Sequence, residues 1–342
     1  MRAMKFDTDG TATVVSIPHP EPGPEDVIVK VLSTGACGSD FAALKGKHPF
    51  RFPPLISGHE AGGVIAAVGA EVAGISEGDR VVIEPQRPCW NCDYCSAGNY
   101  HVCESKQMLG IAEWDGSFAD YVKVPSYTIV PVPQTIPDHA LALVEPLAVA
   151  AHAVRQANLG DSHGDEFHHL VLGGGPIGAL ITAVLSSQHP GKVVVSEPRE
   201  QNVRVLRQLG ATEVRDPDQK GHEGERFDSV FVAVGVPALV SEAIGKCVSG
   251  GTVVQVAVFN ADVPVPVGQL QVREVSLVGT AMYSRQDFVT AAQLLADHPE
   301  IADAVITDRV SLEEGAEAIT RITAEGPGET IKLIMEPQRQ SV

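Results

Sequence analysis

The stretch VLGGGPIG, residues 171–178, decides the fold of the second half of this chain. It carries the spacing G-x-G-x-x-G between an apolar run and a helical one. In such a turn Gly173 permits the tight bend, Gly175 lets the backbone approach a pyrophosphate, and Gly178 allows close packing of the helix, whose N-terminus faces the anion. The predicted dinucleotide site consists of Gly173, Gly175, Pro176, Ile177 and Gly178.

Strands and helices alternate after residue 145, which is the rhythm of a parallel sheet covered by helices. The apolar strands are placed at 169–173, 192–197, 228–235, 252–259 and 275–279. The helices are placed at 147–157, 176–187 and 199–209, with a polar loop at 160–166. Continuous apolar runs suit strands that are buried on both faces. The fold class is therefore α/β, with a doubly wound parallel-sheet domain of the Rossmann type.

An acidic residue, Glu197, ends the strand that follows the glycine turn. A carboxylate there can accept hydrogen bonds from the ribose hydroxyls and repel a 2′-phosphate, which favours NAD over NADP. Arg199 and Arg204 lie close in sequence, so a relaxed choice between the two cofactors stays open.

The first 130 residues have a different character, rich in Gly, Pro and Val, with short alternating runs at 27–31 and 80–83. This pattern predicts a β domain of short barrel or sandwich strands. After residue 279 a helix at 287–296 and strands at 305–310 and 330–335 are expected, and this tail is expected to rejoin the first domain.

Four of the six cysteines stand together as C-x2-C-x2-C-x7-C, at Cys89, Cys92, Cys95 and Cys103. Four soft ligands in one short lobe suit a closed, structural zinc site. An iron-sulfur run is the main alternative, but its last gap has three residues followed by proline, whereas here Cys103 follows a gap of seven and precedes Glu104. Zinc is therefore favoured. Cys247 is interpreted as an inert buried thiol.

Composition limits the possible partners and locations. The chain has 342 residues, long enough for two domains, and 25 basic against 43 acidic residues, a net charge of −18. Such a chain repels nucleic acid. The N-terminal residues lack the apolar run of a signal peptide, and no later stretch approaches the ~20 apolar residues that span a bilayer. A cytoplasmic protein with no membrane partner is expected.

A second group of residues is dispersed: CGSD at 37–40, GHEAGG at 58–63 and EPLAVAAHA at 145–153. A lone buried Cys, His or Glu is more often structural than functional. Together, and in order with the cysteine lobe and VLGGGPIG, these motifs give a chain that resembles the zinc-dependent medium-chain alcohol dehydrogenases, in their polyol dehydrogenase branch.

The resemblance implies a two-domain architecture. A GroES-like β-rich catalytic domain is expected at 1–147, completed by 281–342, with a Rossmann domain inserted at 148–280. Zinc and nicotinamide are expected in a cleft at the domain junction. The resemblance also implies a homotetramer, with a dimer second, and the strand at 275–279 is the expected sheet edge for pairing between subunits.

The resemblance further implies a catalytic zinc bound by Cys37 and His59. Glu60 and Glu145 are implied as carboxylate ligands or as partners of the metal-bound water, and which of them binds directly stays open. Three protein ligands leave a position for the substrate oxygen, where Zn²⁺ acts as a Lewis acid.

A proton relay is implied from Ser39, whose hydroxyl accepts the substrate proton. Relatives often end this relay at a histidine five residues after the cysteine ligand, but Ala42 stands there. His48 is the candidate substitute, or else a surface loop histidine. Asn202 stands where the family often has a basic residue that contacts the cofactor.

The implied reaction is hydride transfer between NAD and a small secondary alcohol, vicinal diol or polyol. Met282 stands in the place of a sugar-contacting arginine of sorbitol-type enzymes, which favours a shorter or less hydroxylated substrate. L-threonine 3-dehydrogenase and cyclitol or sugar-alcohol dehydrogenase are alternatives, and a non-catalytic NAD-binding structural or sensing protein is a rival from another class. Candidates for the pocket wall, or else for core positions, are Phe41, Phe50, Phe52, Ile111 and Trp114.

Overall fold

The computed structural model describes residues 1–111, 113–159, 167–189, 191–218 and 224–339. The predicted loop at 160–166 lies outside these residues. Contacts divide the chain into two compact units, one formed by Met1–Glu145 with Ser284–Val342 and the other by Pro146–Tyr283. None of the helices in the described part of the chain combines the length and the apolar character needed to cross a membrane.

Short strands dominate the chain up to residue 145. They are β1 (Arg2–Phe6), β2 (Ala12–Ser16), β3 (Asp26–Gly35), β4 (Leu55–Ile56), β5 (Glu60–Val68), β6 (Arg80–Ile83), β7 (Gln86–Arg87), β8 (Gln107–Met108), β9 (Tyr121–Pro125) and β10 (Ile129–Pro131). Those of the second unit are β11 (Phe167–Leu172), β12 (Gly191–Ser196), β13 (Glu213–Arg215), β14 (Phe227–Val232), β15 (Cys247–Gln255) and β16 (Ser276–Gly279). The tail adds β17 (Ile306–Val310) and β18 (Lys332–Met335).

The helices are mostly in the second half of the chain. They are α1 (Gly38–Leu44), α2 (Asp93–Ser96), α3 (Val144–Gln156), α4 (Pro176–Gln188), α5 (Glu200–Gln208), α6 (Ala238–Lys246), α7 (Val267–Arg273), α8 (Arg285–Asp297), α9 (Glu300–Val305) and α10 (Leu312–Glu325). Both long tail helices begin at a capping box, since Ser284 pairs with Asp287 in α8 and Ser311 with Glu314 in α10.

The second unit is a parallel sheet in the order β13-β12-β11-β14-β15-β16. Its central strands are rich in Val, Leu and Phe and are buried, as expected for a sheet with helices on its faces. The predicted Rossmann-type fold is confirmed, and β16 is an edge strand.

One predicted strand is misplaced. The sequence analysis put it at 252–259, but β15 runs from Cys247 to Gln255. The strand continues through the glycines because Gly250 takes a left-handed φ of 79° and the register with β14 shifts there. Cys247 is fully buried at its start, as predicted.

The tail completes the main sheet of the first unit. That sheet has the order β10-β6-β5-β3-β18-β17, with β9 also paired to β3. The long strand β3 therefore lies between β5 on one side and β18 on the other. One core of this unit packs α10 and β18 against β1, so the last residues of the chain share a core with the first.

Candidate active site and metal centres

The cysteine lobe, residues 89–103, brings four thiols together. The Sγ atoms of Cys89, Cys92, Cys95 and Cys103 all lie within 4.8 Å of one another. Neighbouring sulfurs are 3.5 to 3.9 Å apart, close to the ~3.8 Å edge of a tetrahedron with 2.3 Å Zn–S bonds. All four are free cysteines. The donor set and its size therefore fit a closed zinc site.

Local backbone geometry shapes this lobe. The strands β7 and β8 pair antiparallel at its base. Trp90 and Gly98 take left-handed conformations, with φ of 59° and 79°. The backbone N–H of Asn91 points at the Cys89 sulfur and lowers the pKa of that thiol to about 6. Burial acts the other way on Cys95, whose pKa it raises to about 12, so the lobe places thiols of unlike acidity side by side.

A second group, the mixed-ligand site, joins Cys37, His59 and Glu60. Their ligand atoms also lie within 4.8 Å of one another. The residues come from two paired strands: Cys37 follows β3 and caps α1, while Glu60 begins β5, where it lies opposite Gly35. Strand pairing therefore assembles donors that are far apart in sequence.

Burial keeps the metal-free mixed-ligand site neutral at its two strongest donors. Burial and the nearby Glu60 raise the pKa of the Cys37 thiol to about 11. Burial and Arg51 lower the pKa of His59 to about 3. The Nδ1 atom of His59 is buried with no hydrogen-bond partner among the described residues. A neutral imidazole, a thiol that a cation can deprotonate and a carboxylate fit a zinc ion with an open position.

A buried lysine faces this site from the C-terminal strand. Lys332 is 2% exposed, and its ammonium pairs with the carboxylate of Glu60 and donates to the carbonyl of Ala36 at 3.0 Å. Burial lowers its pKa, but the charges of Glu60, Cys37 and Glu145 and the hydrogen bond to Glu60 together outweigh burial, so the pKa is raised. The pair meets over Gly35, where a side chain would collide with Glu60 Oε2.

A second buried ion pair, between Arg51 and Asp40, lies next to two of the candidate ligands. The Asp40 carboxylate is fully buried and accepts from Arg51 at 2.7 Å, from Ser57 at 2.6 Å and from the backbone N–H of Cys37 at 2.9 Å. Its Oδ1 lies 3.9 Å from His59 Nδ1. Asp40 therefore fixes the backbone of one candidate ligand and lies beside the ring of another.

The glycine turn of the second unit has the conformation that its sequence predicts. Gly173 takes a φ of 99°, and Gly175 caps α4, whose first residue is Pro176. A side chain at Gly178 would collide with the carbonyl of Gly173. Both glycines are therefore required by the turn itself.

The central residue of this turn is held at both of its backbone polar groups. Gly174 N–H donates to Glu197 at 2.7 Å, and its carbonyl accepts from Asn202 at 3.3 Å. The other carboxylate oxygen of Glu197 accepts from the backbone and the guanidinium of Arg199, both at 3.0 Å. Glu197 and Asn202 are buried. Their hydrogen bonds to Gly174 stabilise the predicted dinucleotide turn.

Comparison with known proteins agrees with these two units. Residues 23–134 match the alcohol dehydrogenase GroES-like domain, and residues 176–297 match the zinc-binding dehydrogenase family. The probable D-xylulose reductase A of Aspergillus clavatus is 31% identical over 327 residues, covering 91% of this chain and 89% of that protein. The chain belongs to the zinc-type medium-chain alcohol dehydrogenases.

Solved structures place the dehydrogenase in the same family. A zinc-binding dehydrogenase of Sinorhizobium meliloti bound to NADP has a TM-score of 0.90 at 29% identity, covering 98% of this chain and 99% of that one. The 2R,3R-butanediol dehydrogenase of Bacillus subtilis has a TM-score of 0.89 at 26% identity with the same coverage. The predicted family, its polyol branch and the GroES-like plus Rossmann fold are confirmed. The dehydrogenase is an oxidoreductase of zinc and NAD(P).

Three further residues predicted for the active site, Ser39, His48 and Glu145, lie outside the group formed by Cys37, His59 and Glu60. The Ser39 hydroxyl is buried beside the Cys37 thiol and has no other partner among the described residues. His48 Nδ1 accepts from the backbone of Phe50 and of Arg51, each at 3.1 Å, and no hydrogen bond in the described chain joins it to Ser39. Glu145 is buried in the first turn of α3, outside the group of three donors.

Sequence reasoning missed two charged residues of this dehydrogenase, Lys332 and Arg51. Lys332 is the only charged residue in the otherwise apolar strand KLIM, and all four positions of β18 are buried. A lysine in such a strand is a usable signal, because a buried cation needs a partner. Arg51 gives no comparable signal, since it stands in a polar, proline-rich loop.

Proposed function

We propose that this dehydrogenase oxidises a secondary hydroxyl of a small vicinal diol or polyol and transfers the hydride to NAD. The mixed-ligand site carries the proposal, because it unites a thiol, an imidazole and a carboxylate within 4.8 Å in a zinc-type dehydrogenase. A bound zinc would supply Lewis acidity at the substrate oxygen.

The residues of the site have distinct proposed roles. Cys37 and His59 hold the metal, with Glu60 or Glu145 as the third protein ligand or the partner of bound water. Ser39 accepts the proton of the substrate hydroxyl, which is supported by its buried and otherwise unpartnered oxygen. Lys332 pairs with Glu60 and opposes burial, which raises the pKa of that carboxyl. His48 stays the proposed next proton acceptor after Ser39, through Nε2, since its Nδ1 accepts from the backbone of Phe50 and Arg51.

The proposed cofactor is NAD rather than NADP. Glu197 ends β12, where its charge opposes a 2′-phosphate. Its two oxygens already accept hydrogen bonds from Gly174 and Arg199, so its role combines support of the glycine turn with this repulsion. Gly173, Gly175, Pro176, Ile177 and Gly178 would form the turn that holds the pyrophosphate, with Asn202 acting through Gly174.

Cofactor choice can be tested with two substitutions of Glu197. Glu197→Gln keeps an oxygen acceptor for Gly174 but removes the charge, and Glu197→Ala removes both. The ratio of kcat/KM for NAD to that for NADP should fall about tenfold in the Gln variant, because only repulsion is lost. A fall in the Ala variant alone would assign Glu197 to turn support and remove it as the selector.

The substrate class follows the names of the relatives. One is named a probable D-xylulose reductase and another a 2R,3R-butanediol dehydrogenase, and these names refer to a ketose and to a vicinal diol. A small diol or polyol is therefore the proposed substrate. L-threonine and cyclitols are the other members of the test panel.

Assembly and location belong to the same proposal. We assign the catalytic domain to 1–147 with 281–342 and the Rossmann domain to 148–280. A homotetramer is proposed, with a dimer second, through pairing of the exposed edge strand β16. A cytoplasmic location is proposed because six free cysteines suit a reducing compartment.

The deciding experiment measures zinc content per chain together with NADH formation on diols, polyols, cyclitols and threonine. Two zinc ions per chain and turnover of a vicinal diol or polyol are expected. Two zinc ions with turnover of threonine alone would replace the proposed substrate class. One zinc ion and no turnover of any compound would overturn the proposed reaction.

A further inference from the structure

A cavity of about 590 Å³ lies in the first unit beside the cysteine lobe. Its apolar wall includes Met108, Ile111 and the buried Trp114, with the exposed Phe50 also lining it. Two cations, Arg87 and Lys106, line the same cavity. We name it the Trp114 pocket. Three of the five apolar residues that the sequence analysis offered as pocket lining therefore share one cavity.

The Trp114 pocket is tied to the mixed-ligand site through the backbone. The loop that carries Ile111 and Trp114 continues into residues 116–118, which donate hydrogen bonds of 2.8 to 3.0 Å to the carbonyls of residues 56–58. His59 follows directly. Backbone hydrogen bonds therefore connect the loop that forms one wall of the pocket to the segment that precedes a candidate metal ligand.

The two cations of this pocket have no carboxylate partner within the described residues, although the chain carries a net charge of −18. The Arg87 guanidinium stacks over the Trp114 ring at 4.3 Å, and its Nη1 donates to the neutral amide of Gln107 at 3.3 Å. The Lys106 ammonium donates to the carbonyl of His101. Lys106 also lies near the Cys103 sulfur, and Arg87 near the Tyr127 hydroxyl, so each cation has polar neighbours but no carboxylate partner among the described residues.

Position and shape decide what these cations can bind. Arg87 presents a face to Trp114, which leaves the edge of its planar guanidinium for a two-oxygen anion. Lys106 adds a point charge. The carboxylates of Glu104 and Glu113 also line the pocket but are exposed, so water screens them, whereas both cations are partly buried.

We propose that the Trp114 pocket binds the anionic end, a carboxylate or a phosphate, of a polyol substrate. Arg87 and Lys106 neutralise the anion, and the carbon chain lies along the apolar wall toward the mixed-ligand site. This inference rests on the proposed function for the identity of the other end of the ligand. It narrows the substrate class from neutral polyols to polyol acids or polyol phosphates.

The test compares three compounds built on one five-carbon skeleton: xylitol, D-xylonate and xylitol 5-phosphate. Calorimetric titration of the full-length protein, loaded with zinc and NAD, gives the dissociation constant of each. At least one anion should bind about tenfold more tightly than xylitol, since a charged hydrogen bond contributes that much. The anion that binds more tightly identifies the terminal group.

Substitutions assign the preference to the pocket. Arg87→Gln and Lys106→Gln should each reduce the ratio of anion to xylitol affinity about tenfold. A general loss of folding would weaken the three compounds alike and leave that ratio unchanged. Lys123→Gln is the matched control, because Lys123 is an exposed cation on the same unit that lines a different cavity. Zinc content is measured for every variant, since Arg87 and Lys106 flank the cysteine lobe.

Three results would overturn the proposal: equal affinity for xylitol and both anions, no binding of any of the three, or an anion preference that persists in both pocket variants. The binding ratio does not depend on turnover. Failure of the proposed function, seen as no NADH formation on any compound of the panel, is therefore distinguishable from failure of this pocket.

Discussion

The two candidate metal centres differ in how the chain builds them. The cysteine lobe takes four identical donors from residues 89–103 and needs little beyond its own turns and the β7–β8 pairing. The mixed-ligand site takes three different donors from two strands and adds buried charges from Arg51 and Lys332. A local site of like donors suits permanent binding, and a dispersed site of unlike donors suits chemistry.

The largest expected effect is a loss of turnover when the mixed-ligand site, but not the cysteine lobe, is altered. Cys37→Ser should reduce turnover to the background rate and leave one zinc ion per chain, because the cysteine lobe is intact. Zinc analysis and NADH formation measure both. Cys247→Ala is the control, since Cys247 is a buried thiol outside both centres and its loss should leave two zinc ions. Loss of both zinc ions in Cys37→Ser would show that the centres are coupled.

The second effect separates them by stability. Cys95→Ser should remove the zinc of the lobe and lower Tm by roughly 10 °C, because a closed structural site contributes directly to folding. The zinc of the mixed-ligand site should remain. Thermal unfolding with and without a chelator measures the change. A Tm equal to that of the unaltered protein would contradict a structural role for the lobe.

The third effect concerns the buried ammonium of Lys332, which has no counterpart in the described part of the cysteine lobe. Lys332→Met leaves the buried carboxylate of Glu60 without its counter-charge, so the zinc-free protein should lose about 3 kcal/mol of unfolding free energy. Zinc supplies a replacement positive charge, so the loss should be smaller in the zinc-loaded protein. Denaturant titrations of both forms measure the difference. Equal losses with and without zinc would place Glu60 outside the metal site.

The smallest effect tests proton transfer alone. Ser39→Ala should lower turnover about a hundredfold while both zinc ions stay bound, because the hydroxyl moves a proton and holds no metal. Rates on the best substrate of the panel and zinc content are the measurements. A near-normal rate would assign the proton to another group or to water.

The sequence predicts local features of this molecule well. The four cysteines lie within one short segment, and so do the residues of the glycine turn. Their spacing in sequence is therefore enough to predict their arrangement in space. Apolar strands that alternate with helices likewise predict the parallel sheet. Most of the predicted strands fall within a few residues of the observed ones. The strand β15 is the exception, because a glycine pair marks either a break or a bulge and only pairing with β14 decides which.

Charges that meet through tertiary contacts could not be predicted in the same way. Lys332 reaches Glu60 only because β18 and β5 both flank the end of β3. Glu197 reaches Gly174 because β11 and β12 pair in parallel and both end there, with Leu172 opposite Ser196. Such contacts arise from strand register rather than from any local pattern.

The position of β18 also has a consequence for synthesis. Domains tend to fold from the N-terminus as the chain emerges. Cys37, His59 and Glu60 emerge early, but the lysine that neutralises Glu60 lies at residue 332. Throughout translation of the intervening second unit, Glu60 lacks the ammonium of Lys332. Because α10 and β18 also share a core with β1, the first unit is completed only after the second unit has been synthesised.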